Sequence, residues 1–334
     1  MADLAEEVAR FYGYDKIPVT LPKSSATAGG VTEKLRFEKI ARAAAEGYGF
    51  SEGMTYSFES PKVYDKLCLA EDDALRKSIR ISNPLGEDYS VMRTSALGGM
   101  LSSLAINYNR RNKNVRLYEI ANVYIPRELP LSELPDERTH LTLGMYGEGD
   151  FFTMKGVVQA VLNKLGLNEM AEYKPCTDRK YLHPGRQADV IYKGQMVAYI
   201  GEVHPSVQKN FEIGERVYIA VIDMKTAVEM SEPVIKYHGV PKFPAITRDI
   251  SLTMKHEVTA GEVEAIIRTK GGKLLESYEL FDIYEGSQIL KGYKSLAYKI
   301  VFRAADRTLT DDEAGKVMDK IISSLAEKEV VLRQ

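Results

Sequence analysis

Alternation of apolar and polar positions is clearest from Tyr278 to Arg303, which predicts two strands joined by a glycine-containing loop. Successive side chains of a strand point to opposite faces, so one face packs and the other is open. The pattern assigns to the packed face Leu296, Tyr298, Ile300, Phe302, Phe281 and Ile283. It assigns to the open face Asp282, Tyr284, Ser295, Lys299 and Arg303.

The open face of this predicted hairpin combines an aromatic ring, a carboxylate, a hydroxyl and two cations. These groups suit an unpaired base and its phosphates. On a preceding predicted strand, Ile250 and Leu252 face the core, which places Ser251 on the open side with the others. An ordinary solvated sheet face is the alternative, since antiparallel sheets commonly expose one face to water.

The last segment of the chain has the element order of a ferredoxin-like fold. Thr259 with Glu262 and Thr310 with Glu313 form predicted capping boxes for two helices. A closing strand is predicted at residues 329–333. The order strand, helix, strand, strand, helix, strand is the split βαβ arrangement.

The longer preceding segment mixes helical and strand periodicity, which predicts an α+β domain with an antiparallel or mixed sheet. Linkers are predicted from composition at residues 21–30 and 231–241. Helices are predicted over residues 3–12, from a Thr32 cap to Gly47, 96–110 and 151–165. Strands are predicted over residues 53–58, 79–81, 115–124, 139–146, 190–192, 196–203 and 217–224.

Composition narrows the class of protein. The 334 residues carry 45 Lys plus Arg and 47 Asp plus Glu, a formal charge of −2, so no global basic field indicates a nucleic-acid partner. Residues 291–307 form a local basic patch.

The two cysteines, Cys68 and Cys176, lack the spacing of a zinc site or a disulfide framework, which favours a reducing cytoplasm. No apolar run has membrane-spanning length, and the N-terminus is not a signal peptide.

Catalytic motifs are missing from the sequence. It contains no P-loop, no GxGxxG after a strand and no GxSxG. The five histidines show no metal spacing. Asp3, Glu6 and Glu7 lie in the first turns of a predicted helix, where acids favour the helix dipole, although three close carboxylates can also share a divalent cation. These features favour a binding or scaffold protein over a catalyst.

Several motifs, taken in order, resemble the C-terminal half of the bacterial phenylalanyl-tRNA synthetase beta subunit family. The matching stretches are DLAEEVARFYGYDKIP, SNPLGEDYSVMRTSALGGML, DFFTMKG, LHPGRQA, IGEVHP, FPAITRDISL, ELFDIYEG, KSLAYKIVF and DRTLTDDE. The resemblance implies that residues 1–20 are the tail of a DNA-binding-fold-like domain in a longer protein. It further implies a non-catalytic class II synthetase-like domain over 31–230 and a ferredoxin-fold anticodon-binding domain over 242–334.

In this family the alpha subunit binds ATP, activates phenylalanine and transfers it to tRNA(Phe). The beta subunit implied here docks the alpha subunit and binds the anticodon, within a heterotetramer of two alpha and two beta subunits. The sequence agrees, because the nearest candidate for a class II signature, Arg116 and Glu119, has the wrong separation. The family's editing domain and N-terminal tRNA-binding region have no counterpart in these residues.

The resemblance also implies sites. Asp3, Glu6 and Glu7 match residues that in the family bind a magnesium ion shared with the alpha subunit. The family has one more Asp just upstream, before residue 1, so these three residues are expected to hold the ion weakly if at all. The implied anticodon contacts are Ser251, Asp282, Tyr284 and Ser295. Plausible phosphate contacts are Lys294, Lys299, Arg303 and Arg307.

Two alternative functions stay open at the level of sequence. The chain could be a stand-alone class II ligase, or a small-molecule regulatory module, since ferredoxin-like domains occur in many functional contexts. If instead it docks a catalytic partner, a large apolar patch is exposed when the chain is alone, and self-association is expected.

Overall fold

The computed structural model describes residues 1–232, 237, 239–286 and 288–333. Several of its helices begin at a residue whose side chain caps the first turn. The Thr32 hydroxyl accepts a hydrogen bond from Leu35 N, and the predicted capping boxes at Thr259 and Thr310 are both present. The described helices are α1 (Ala2–Tyr12), α2 (Glu33–Gly47), α3 (Lys62–Lys66), α4 (Leu97–Asn109), α5 (Phe151–Lys164), α6 (Pro205–Asn210), α7 (Met224–Glu229), α8 (Ala260–Gly271) and α9 (Asp311–Ala326).

The strands predicted over 115–124, 139–146, 190–192 and 196–203 are longer in the structure, whereas those predicted over 217–224 and 329–333 are shorter. In the larger part of the chain the strands are β1 (Ser51–Glu52), β2 (Phe58–Glu59), β3 (Val91–Met92), β4 (Val115–Ile125), β5 (Asp136–Tyr146), β6 (Glu172–Pro175), β7 (Leu182–Tyr192), β8 (Gln195–Val203) and β9 (Val217–Asp223). In the last part they are β10 (Ile246–Lys255), β11 (Leu275–Tyr284), β12 (Tyr293–Phe302) and β13 (Val331–Leu332).

The strand predicted over residues 53–58 is wrong. Its middle residue Thr55 donates both its backbone N–H and its hydroxyl to the Glu119 carboxylate, so the segment leaves the strand ladder between β1 and β2. The strand predicted over 79–81 is reduced to a single bridge between Arg80 and Val91. Strand β6 was not predicted. The linker predicted over 231–241 includes residues 233–236 and 238, which lie outside the described residues.

Within the described residues, the larger sheet has the strand order β1-β4-β5-β9-β8-β7-β6. Its pairs are antiparallel except β1 with β4, and the β7–β8 hairpin turns at Lys193 and Gly194, both with positive φ. Apolar clusters lie on both faces. Helices α2, α5 and α7 contribute to one cluster, while α3, α4 and α6 contribute to the other. Both faces of this sheet are therefore covered by helices.

The smaller sheet has the order β11-β12-β10-β13, which is the predicted ferredoxin-like topology. Helices α8 and α9 pack on one face against the buried residues Leu296, Tyr298, Ile300 and Phe302 of β12. No third layer covers the other face among the described residues, and this is called the open face below. In the described part of the chain, no helix has the length and apolar character needed to cross a membrane.

Candidate nucleic-acid interface

The pairing register brings the four predicted anticodon contacts together on the open face. Tyr284 of β11 lies beside Ser295 of β12, and in the next row Asp282 lies beside Ala297. On the other side of β12, Ser251 of β10 also lies beside Ala297. Residues directly paired on adjacent strands point to the same face, about 5 Å apart. A patch two strand spacings wide therefore carries a ring, a carboxylate and two hydroxyls.

The exposure of these four side chains differs. Ser251 and Asp282 are exposed and Tyr284 is half-buried, but Ser295 is only 3% exposed. An ionised Asp282 can accept hydrogen bonds from the N–H groups of a base, and the serine hydroxyls can donate or accept. A tyrosine ring beside them can stack on an unpaired base. The patch therefore has the groups needed to recognise a single nucleotide.

A β-bulge in β11 overturns the prediction that Phe281 belongs to the packed face. The register shifts between Leu280 and Asp282, so Phe281 and Asp282 both occupy the open side. Phe281 is 52% exposed, and its ring lies 6.0 Å from Lys299 Nζ. Ile283 does pair with the packed residue Leu296, but on this edge strand it is 55% exposed. The bulge adds a second aromatic ring to the open face.

Arg333 is the residue of this face that sequence reasoning missed. Its backbone N–H donates to Ser251 O at 2.8 Å, which continues the pairing of β13 with β10. Its guanidinium carbon lies 4.8 Å from the centroid of the Tyr284 ring, and Nη2 donates to Gln288 Oε1 at 2.8 Å. The sequence could have indicated Arg333 only through the predicted topology, because the ferredoxin-like order places the last strand beside the strand of Ser251.

The four predicted phosphate contacts do not share one surface. Lys299 is exposed on the open face, where it pairs with Asp249. Lys294 pairs with the buried Met254, so its side chain leaves β12 on the packed face. Its Nζ donates to His256 O at 3.1 Å.

The two arginines of this predicted set already have carboxylate partners. Arg303 Nε donates to Glu276 Oε2 at 2.8 Å, and its Nη1 donates to Phe243 O. Arg307 Nη2 donates to Glu313 Oε1 at 2.7 Å. Among the four cations, Lys299 is the one whose position best suits a phosphate beside Tyr284.

The predicted magnesium ligands Asp3, Glu6 and Glu7 are exposed on α1. Glu7 forms an ion pair with Arg10 one turn later. Across the described residues, no group of three or more His, Cys, Asp or Glu side chains is arranged to hold a metal ion. These three carboxylates alone therefore do not fit a magnesium site.

Where α4 packs on β4 and β5, the larger sheet is covered, unlike the open face of the smaller sheet. A Cβ atom at Gly144 would lie 2.9 Å from Met100 Cγ and 3.0 Å from Leu104 Cδ1, so these side chains rest directly on the strand. Beside them Arg93 Nη1 donates to Glu119 Oε1 at 3.0 Å, and both side chains are 4% exposed. Apolar packing and a buried ion pair occupy this surface.

An arginine and two histidines in the larger part of the chain have structural contacts. Arg116 Nη1 donates to Tyr48 O at 2.9 Å. Nδ1 of His183 accepts from Gly185 N at the start of β7, and Nδ1 of His204 accepts from Ser206 N at the start of α6, both at 3.1 Å. Burial lowers the pKa of His140, which favours its neutral form. His238 lies outside the described residues.

Comparison with sequence families gives two adjacent matches. The model described as the phenylalanyl tRNA synthetase beta chain CLM domain matches residues 17–224. The model of the ferredoxin-fold anticodon binding domain matches residues 241–333. The second match covers the sheet that carries the open face.

Curated relatives carry the name phenylalanine–tRNA ligase beta subunit. The Clostridium tetani protein is 42% identical over 323 residues, covering 97% of this chain and 41% of its own length. The Clostridium acetobutylicum protein is also 42% identical, with 97% and 40% covered. The Symbiobacterium thermophilum protein is 40% identical, with 97% and 37% covered. The chain thus spans about two fifths of the relatives it matches.

Among solved structures, pyrrolysyl-tRNA synthetase from Desulfitobacterium hafniense matches with a TM-score of 0.50 and 17% identity, covering 59% of this chain and 69% of that chain. At this identity the likeness concerns the fold, which is an α+β architecture of the class II synthetase type. Since the first family model matches more than half of the residues, the chain belongs to the phenylalanyl-tRNA synthetase beta chain family.

Proposed function

We propose that this chain is the anticodon-binding and subunit-docking portion of a phenylalanine–tRNA ligase, and that it performs no chemistry itself. The complete enzyme would join ATP, L-phenylalanine and tRNA(Phe) in the cytoplasm as a heterotetramer of two alpha and two beta subunits. The observation that carries the proposal is the open face, where Ser251, Asp282, Tyr284 and Ser295 converge on a domain of the anticodon-binding family.

Recognition of the anticodon would use this patch in two ways. Tyr284 stacks on an unpaired base, while Asp282 and the serine hydroxyls hydrogen-bond to base edges. Lys299 neutralises an adjacent phosphate. Stacking of this kind contributes roughly 1–3 kcal/mol per base. The base contacts select the anticodon, and the phosphate contact adds affinity without selectivity.

The proposed absence of catalysis is supported by the packing of the larger sheet. Met100 and Leu104 rest on Gly144, so apolar side chains fill the space above this part of the sheet. Glu119 is paired with Arg93 and accepts from Thr55 instead of facing a substrate. ATP binding is accordingly assigned to the alpha subunit. The α1 carboxylates would hold magnesium only with ligands from elsewhere in the assembly.

Docking of the alpha subunit is proposed on an exposed apolar surface at the edge of the larger unit. Met54 is 88% exposed, Tyr56 73% and Leu85 90%. The rings of Tyr56 and Tyr89 meet edge to face with centroids 5.6 Å apart, which joins two loops into one surface. Exposed apolar patches of this kind mark protein interfaces. The isolated chain is therefore expected to self-associate, which sedimentation would detect.

The decisive experiment measures binding of tRNA(Phe), and of an anticodon-substituted tRNA, across a salt series. Tyr284→Ala is expected to lose roughly 1–3 kcal/mol of affinity for the cognate tRNA. Tyr48→Ala, at an exposed tyrosine of the larger unit, is the matched control and should bind normally. Binding that ignores both the anticodon and Tyr284 would refute the assignment of the open face.

The two alternative functions predict different results in parallel assays. A stand-alone ligase would catalyse ATP–pyrophosphate exchange without an alpha subunit. A small-molecule regulatory module would bind phenylalanine and ignore tRNA. Neither result is expected from this chain.

A further inference from the structure

We infer that Arg333 occupies the stacking surface of Tyr284 in the RNA-free protein and must leave it when a base binds. The inference rests on the proposed function of the open face and adds a competing group from the chain itself. Three contacts hold Arg333 in place. They are the backbone bond to Ser251, the ring of Tyr284 and the side-chain bond to Gln288.

The path of the Arg333 side chain crosses the open face. Strands β13 and β11 are the two edges of the sheet, with β10 and β12 between them. Adjacent strands are about 4.8 Å apart, and Arg333 lies in the row of Ser251, two residues along from the row of Tyr284, so the two residues start from backbones about 16 Å apart. Each side chain is long enough to cover about half of that distance. Since guanidinium and ring are 4.8 Å apart, they meet above the two central strands.

The meeting point coincides with the place where a base would lie. Ser295 pairs with Tyr284 on one side and with Thr253 on the other, which places it under the crossing. Ser295 is 3% exposed and Ala297, in the next row of the same face, is 7% exposed, so β12 is covered at the crossing. A base that reached Ser295 and stacked on Tyr284 would have to take the position of the guanidinium.

The guanidinium group of Arg333 can occupy the position of a base on the Tyr284 ring. It is planar and stacks on aromatic faces, as a nucleobase does. Gln288 accepts its hydrogen bond from the loop that follows Tyr284, so the cation is retained at the ring by two partners. Base binding is consequently an exchange of one stacked plane for another, and Arg333 lowers the affinity for the base.

An uncharged purine nucleoside tests this exchange, because it has no phosphate that could attract the arginine. Adenosine and guanosine binding would be measured by NMR titration of the chain and of Arg333→Ala. Removal of the competing cation is expected to tighten nucleoside binding about two- to fivefold, because the base no longer has to displace an exposed cation–π contact of that strength. Arg333→Lys, which keeps the charge but not the plane, should fall between the two.

Two further variants separate the exchange from general charge effects. Gln288→Ala keeps Arg333 but removes its hydrogen-bond partner, and it should also tighten nucleoside binding. Arg127→Ala removes an exposed cation that is bonded to Glu133 in the larger part of the chain, and it should leave nucleoside binding unchanged. If Arg333→Ala binds the nucleoside equally or more weakly than wild type, the exchange is refuted.

A fluorescence measurement gives a readout that does not depend on a ligand. The chain contains no Trp, so Tyr284→Trp introduces a single reporter at the ring position. With Arg333 present the indole should be shielded from acrylamide, and Arg333→Ala in the same background should increase quenching. Equal quenching with normal RNA binding refutes only the exchange. Loss of nucleoside and tRNA binding in every variant refutes the proposed function and, with it, the exchange.

Discussion

The two sheets of this protein differ in what lies on their second face. The larger sheet is covered on both sides, by α2, α5 and α7 on one face and by α3, α4 and α6 on the other. The smaller sheet has α8 and α9 on one face, and no described residues form a layer on the other. Both are largely antiparallel and both have an apolar core, so the core alone does not indicate where a ligand binds.

Polar residues on the two sheets differ in the same way. On the larger sheet Glu119 is enclosed with Arg93, each 4% exposed. On the smaller sheet Asp282 is exposed beside Ala297. A carboxylate that is already paired and buried is part of the packed fold and cannot meet a ligand, whereas an exposed one remains available to a base. The comparison supports the proposal that the smaller sheet recognises RNA while the larger one is a packed scaffold, and substitutions can test that division.

The largest expected effect follows from breaking the buried ion pair. Glu119→Ala leaves the Arg93 charge uncompensated in the interior, which typically costs about 3–5 kcal/mol of unfolding free energy. Urea unfolding followed by circular dichroism would measure it. The double variant Arg93→Met with Glu119→Leu should recover much of the loss, because no charge stays buried. A single variant as stable as wild type would contradict the enclosed geometry.

A smaller loss is expected where a helix rests on the larger sheet. Gly144→Ala places a methyl group 2.9 Å from Met100 Cγ and Sδ, and such overpacking costs about 1–3 kcal/mol. Gly315→Ala in α9 is the matched control, since a Cβ atom there has no neighbour within 4 Å. Because alanine favours helix more than glycine, the control should gain up to about 1 kcal/mol in the same urea assay.

The stability of the protein should also show a pH dependence that comes from Glu59, which lies on β2 in a separate two-stranded sheet with β3. Burial raises the pKa of Glu59 from 4.5 to about 8, so the folded state prefers the protonated acid. A raised pKa gives stability that is present at low pH and is lost as pH rises from about 5 to 8. Glu59→Gln should remove this slope. At pH 8 its free energy of unfolding, measured in urea, should exceed that of the wild type by about 1–3 kcal/mol. Equal slopes would refute a protonated Glu59.

Sequence reasoning identified local features better than long-range ones. The capping boxes at Thr259 and Thr310 depend on residues three positions apart, and both are present. Alternation correctly grouped Asp282, Tyr284 and Ser295, because pairing within a hairpin is nearly local. The same alternation failed at the bulge, where one inserted residue turned Phe281 to the open side.

The features that were missed depend on contacts between distant parts of the chain. Thr55 leaves a predicted strand because Glu119, 64 positions away, accepts its hydrogen bonds. Arg333 reaches Tyr284 only because the closing strand lies beside β10. Periodicity within a segment carries no information about such partners, so the composition of the open face was predicted only in part.

The smallest effect is expected from single cations of the smaller sheet. Lys299 is exposed on the open face, so Lys299→Ala should weaken binding of cognate and anticodon-substituted tRNA alike, and lower the slope of log K against log salt by about 0.7. Arg307→Ala should change that slope less, since Arg307 already donates to Glu313. A loss confined to the cognate tRNA would instead mean that Lys299 contacts a base. In that case recognition would extend along β12 beyond Tyr284, and the bulged Phe281, 6.0 Å from Lys299, would become the next candidate for stacking.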